Sequence, residues 1–187
     1  MFTREESLEF LKEHNREDMH IRHAYAVEAA MRWFARENGE DEDYWGLVGL
    51  MHDIDWEEFP STETHPMKGG EMLREKGYPE DFVHTVLAHG WEYSGIRPET
   101  LCEKFLYTID ELTGFITAVA LVRPSRSLQD LETKSVRKKW KDKAFARGVN
   151  REVIEMGSEL LDIPIETLIE QTILALRPVE KEIGLGS

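Results

Sequence analysis

The sequence holds a single cysteine, Cys102. One thiol excludes an intrachain disulfide and a zinc site built from cysteine thiolates. No apolar run approaches the roughly 18 residues a membrane-spanning helix needs, which excludes a membrane-embedded class. The opening stretch, MFTREESLEFLKEH, has no apolar segment after its charges, so no secretory leader is expected there. Positive charge is also short: Lys and Arg number 23 against 37 Asp and Glu, a net charge of −14. Such a body repels anionic membranes and nucleic acid by default, so a nucleic-acid polymer is a disfavoured partner. A cytoplasmic chain of one domain, 1–187, is expected.

What is present reads as helix. Apolar residues make up 41% of the 187, enough for the core of one ordinary domain. Thr3 and Glu6 form a capping-box pattern that opens a helix ending near His14-Asn15. A second helix is expected from Asp18 to Asn38, stopped by Gly39, with Val27, Ala30, Met31 and Phe34 on its apolar stripe. Asp41 caps a third, continuously apolar through Leu47, Val48, Leu50 and Met51, which ends in His52-Asp53. After a loop with prolines at 60 and 66, helices are predicted from Pro66 to Lys76, from Pro79 to about His89, and from Pro98 to about Val122. Gly90 to Arg97 reads as loop. Pro124 breaks the long helix, and amphipathic helices follow near 150–161 and 165–176. The expected class is all-α: a compact helical bundle with its core at about 18–122 and a C-terminal helical extension at 123–187. Its long apolar helices also suit a homodimer face.

The charge is unevenly spread. Between Arg123 and Arg151 lie ten basic residues and three acidic ones, a local charge of +7 inside an acidic molecule.

The candidate chemistry lies in the histidines and two aspartates. A buried carboxylate costs several kcal/mol unless it is paired or binds a cation. Asp53 follows His52 at the end of the most apolar helix. Adjacent helical residues point about 100° apart, so both reach one ion only near a helix end. His23 shares the stripe of Val27 and Phe34, and Asp110 lies between Ile109 and Leu112 on the long helix. Each alone suits a satisfied core residue; together they are two imidazoles and two carboxylates on three apolar helices. That donor set fits a divalent ion among Mn, Fe, Co, Ni, Zn and Mg.

The order His23, His52-Asp53, Asp110 resembles the HD superfamily of metal-dependent phosphohydrolases, over roughly residues 18–122. The stretches WGLVGLMHDIDWE, HPMKGGEMLREKGYP and DELTGFITAVALVRP resemble those of small predicted HD hydrolases in particular. The resemblance implies an HD-domain helical bundle with His23, His52, Asp53 and Asp110 as metal ligands. It also implies that Asp53 bridges two ions where His65 and His89 complete a second site. The activity implied is hydrolysis of a phosphate ester of a small metabolite or nucleotide, with Asp53 orienting the attacking water. A di-iron oxygenase and a non-enzymatic binding module using segment 123–151 are the other readings.

A proton donor is needed, and Asp55 and Glu57, just after the pair, are its candidates; relatives place Lys or Glu where this chain has Trp56. Lys134, Arg137, Lys138, Lys141 and Lys143 are candidates for receiving a small phosphorylated substrate. His20, one turn from His23, suits a supporting position behind the ligands. His84 reads as structural or exposed, and His14 as a surface residue.

Overall fold

Local hydrogen bonding sets where the helices begin and end. The computed structural model describes residues 2–186. Thr3 caps α1 (Arg4–His14) in a two-way capping box with Glu6. α2 (Asp18–Asn38) stops at Gly39, whose left-handed backbone (φ +71°) returns two hydrogen bonds to the last turn. Asp41 caps α3 (Glu42–Met51). α4 (Met67–Lys76) and α5 (Glu80–Ala88) follow, with Pro66 and Pro79 at their N-caps.

The stretch expected as loop at 90–97 contains one helical turn, α6 (Trp91–Ser94), closed by Gly95 at φ +72°. Four residues are too few for an apolar period to show. α7 (Leu101–Leu121) begins three residues after Pro98, because Thr100 and Glu103 form a second capping box there. α8 (Thr133–Trp140) lies in the basic segment, followed by α9 (Arg151–Leu161) and α10 (Ile165–Leu176). Among the described residues the structure is all-α, with no strand and no helix long and apolar enough to cross a membrane.

α7 is the central post, packed by α2, α3, α5, α8, α9 and α10. α2 and α3 pack most extensively. Their approach depends on Gly49, where an added Cβ would stand 3.0 Å from the Val27 carbonyl. This close contact sets the end of α3, and with it His52 and Asp53, against the middle of α2, where His23 lies. Buried Glu28 locks the same corner, accepting from Arg4 of α1 and from Arg32, which also reaches Asp43. Buried side chains from α1 to Leu185 join one apolar cluster.

Candidate metal centre

Four elements converge on Asp53. One group is His23, His52, Asp53 and Asp110; the other is Asp53, His65 and His89; the ligand atoms within each lie no more than 4.8 Å apart. Asp53 divides its oxygens between them. Its Oδ2 lies 3.3 Å from His52 Nε2 and 3.7 Å from His23 Nε2, while its Oδ1 lies 3.5 Å from His65 Nε2 and 3.6 Å from His89 Nε2. Asp110 Oδ1 completes the first group, 2.9 Å from His23 Nε2 and 3.3 Å from His52 Nε2.

The rings are oriented from behind. His52 follows the last residue of α3 and donates Nδ1–H to the Gly49 carbonyl at 2.8 Å. His89 does the same at the end of α5, to the Val86 carbonyl. Each ring is thereby tied to a carbonyl of its helix's last turn and aims its other nitrogen at the centre. His65 is held by Asp55, whose Oδ1 accepts from Nδ1 at 2.9 Å. With all three Nδ1 atoms donating, Nε2 is the atom each ring turns inward, a lone pair when the ring is neutral.

This arrangement fits a divalent metal by its own geometry. His52 Nε2 is buried with no hydrogen-bond partner. His65 Nε2 and His89 Nε2 stand 3.0 Å apart, two lone pairs facing each other. Such lone pairs are stable only around a shared cation or proton. The electrostatics agree. Burial alone would lower the His52 ring, yet Asp53 and Asp110 hold it well above its ordinary value. Burial alone would raise the two carboxyls, yet they are held well below theirs, by His52 first. Cation and carboxylates stabilise one another here, the role a bound metal takes over.

The centre opens into a cavity of about 700 Å³. Asp55 and Glu57, expected as proton donors, do not line it. Asp55 is fully buried behind His65, and Glu57 accepts the backbone N–H groups of Arg16 and Glu17 and bonds to His20 Nδ1 at 3.0 Å. Both carboxylates are spent on positioning a histidine. The expected substrate cations Lys134, Arg137, Lys138, Lys141 and Lys143 do not line the cavity either. They follow the solvent side of α8 and the turn after it; Lys134 pairs with Glu132 and Arg137 with Glu166. The buried face of α8 is spent on Val136 and Trp140, which leaves its cations turned outward. His84 is exposed and pairs with Glu103, and His14 pairs with Glu58.

The cavity cations are instead Arg22 and Arg126. Arg22 sits beside His23, so proximity along the chain was a usable signal; Arg126 is brought in only by tertiary folding. Glu111 was also missed. It lines the cavity next to Asp110 and accepts the Asn150 N–H at 2.9 Å. Burial first, and then Asp110, push its carboxyl up to about 8.

An all-helical fold with this ligand order defines a metal-binding protein of the HD kind. The HD domain family model matches residues 21–114, half of the chain, and the chain belongs to that family of metal-dependent hydrolases. No curated protein and no solved structure matches the chain.

Proposed function

We propose that the protein is a metal-dependent phosphohydrolase with a binuclear centre. The observation that carries this reading is the division of Asp53 between two ligand groups. His23, His52, Asp53 and Asp110 would hold one ion, and Asp53, His65 and His89 the other. Divalent ions there supply a water acidified toward a pKa of roughly 7 and neutralise phosphoryl charge. The water oxygen bonds to phosphorus, the ester P–O bond breaks, and a proton passes to the leaving alkoxide, giving inorganic phosphate and an alcohol.

The chain's own contribution is orientation and proton handling. Asp53 holds the water's position between the two groups. His20 lines the cavity with Nδ1–H held by Glu57, leaving Nε2 to carry a proton to the leaving oxygen. Arg22 and Arg126 attract an anionic substrate to an otherwise acidic protein.

The test is metal content and phosphate release measured together. Wild type is expected to carry about two ions per chain, His65→Ala with His89→Ala about one, and Asp53→Ala close to none, with helical circular dichroism retained. Unchanged stoichiometry in Asp53→Ala sinks the assignment. The intact second group also suits a di-iron oxygenase; oxygen consumption with a mixed-valent iron signal, and no phosphate released, would select that chemistry instead.

A further inference from the structure

The middle and C-terminal half of α7 is buried on every side except one stripe. From residue 110 onward, Asp110, Glu111, Gly114, Thr117, Ala118 and Leu121 are its only positions not buried, and all six line the cavity. The cavity therefore follows the helix for roughly 16 Å, at 1.5 Å per residue. Its chemistry changes along the way. The metal end is imidazole and carboxylate. Away from it the stripe is small or apolar, and other elements add Ala26, Val149, Val153 and Ile183.

The exposed rim mixes apolar side chains with Arg22, Thr62, Glu92, Arg126 and Asn150. Met19, Tyr93 and Leu121, exposed by 65%, 50% and 42%, are three of the seven large apolar side chains left exposed among the described residues, and all three line this one cavity. Scattered singly such residues mean little, but gathered at a cavity they mark a binding surface. Arg22 and Arg126 are exposed, and long side chains of this kind lay their methylenes on apolar surface while their charge stays in water. Beyond Glu111 the α7 wall offers a single polar side chain, Thr117, so a sugar or polyol lying along that wall would find few partners for its hydroxyls.

We propose that the substrate is a phosphate ester of an apolar alcohol, its phosphate at the metal centre and its hydrocarbon portion lying along α7. This rests on the phosphohydrolase reading. Water adds to phosphorus, the P–O bond to the alcohol breaks, the proton goes to the alkoxide, and inorganic phosphate and an apolar alcohol leave.

Binding and turnover test the two readings separately. Methyl-, butyl- and octylphosphonate keep the anionic head and have no ester bond, so calorimetry on the Mn²⁺-loaded full chain reads binding alone. The dissociation constant is expected to fall about tenfold or more from methyl to octyl, because each buried methylene adds a few-fold. Gly114→Leu and Ala118→Phe fill the arm. An added Cβ at 114 meets nothing nearer than Val149 Cγ2 at 3.8 Å, so the helix accommodates the change. In both variants, checked for unchanged helical dichroism, the octyl-to-methyl advantage should shrink to within about threefold.

Equal affinity along the series overturns the proposal, as does a chain-length advantage that both variants leave intact. Phosphate release should show a higher kcat/KM for octyl phosphate than for glucose 6-phosphate or adenosine monophosphate; the reverse order also overturns it. Chain-length-dependent binding lost in the variants, with no phosphate released from any ester, supports the apolar ligand and overturns the hydrolase reading instead.

Discussion

Asp53 turns one oxygen to each ligand group, and the acceptors behind His52, His65 and His89 decide which nitrogen each ring turns toward it. Asp55 is the clearest case. Its Oδ1 fixes the His65 ring, and Gly69 leaves the room, since a Cβ there would stand 2.9 Å from that oxygen. Asp55→Ala removes the acceptor that holds the ring. The expected result is a loss of about 10–100-fold in affinity for one ion while the other is retained, read by titration against a competing chelator. Equal weakening of both ions would remove Asp55 from this role. His20 makes a different prediction. If it protonates the leaving oxygen, His20→Ala should slow hydrolysis of an alkyl phosphate by about 10²–10⁴-fold and of p-nitrophenyl phosphate, whose leaving group needs little help, much less. Equal slowing of both would point to a structural role.

At the scale of the element, helix ends do most of the positioning. His52 and His89 each follow the last residue of a helix, and α7 is started by Glu103, which accepts the backbone N–H groups of Glu99 and Thr100 and pairs with His84. Burial alone would raise the Glu103 carboxyl, but these donors hold it below its ordinary value. A depressed folded value adds stability that is complete above the unfolded carboxyl's pKa of about 4.3 and is lost as pH falls through the lower folded value. Glu103→Gln should cost about 1.5–3 kcal/mol at pH 7 in urea unfolding, with the gap from wild type closing below about pH 4. A gap that does not change with pH would separate the cap from the carboxylate's charge.

For the whole molecule, charge distribution decides how a substrate arrives. The net charge is −14, and the basic side chains of α8 and the turn after it do not line the cavity. Lys138→Glu with Lys141→Glu should leave KM for a phosphate ester unchanged. Arg126→Glu should raise KM several-fold at low salt, with the effect shrinking as ionic strength rises past about 0.1 M, where the Debye length falls to about 10 Å. Kinetics that respond to the α8 pair and ignore Arg126 would reverse this account of the rim.

Helix positions, their caps and their glycine stops were legible in the sequence because each depends on residues three or four apart. Thr3 with Glu6, Asp41 and Gly39 are local signals, and they act locally. His23, His52, Asp53 and Asp110 stood out for a related reason, since they sit on apolar helices where a carboxylate needs a cation, whereas His65 and His89 entered only through the resemblance to the HD superfamily. The placement of Asp55 and Glu57 behind histidines, the stripe of α7 that lines the cavity and the outward face of α8 were decided by tertiary structure alone. Asp55 meets His65 across 10 positions, His20 meets Glu57 across 37, and His23 meets Asp110 across 87. No periodicity or spacing rule reaches over such separations; only the packing of α2, α3, α5 and α7 against one another brings those atoms within hydrogen-bond distance.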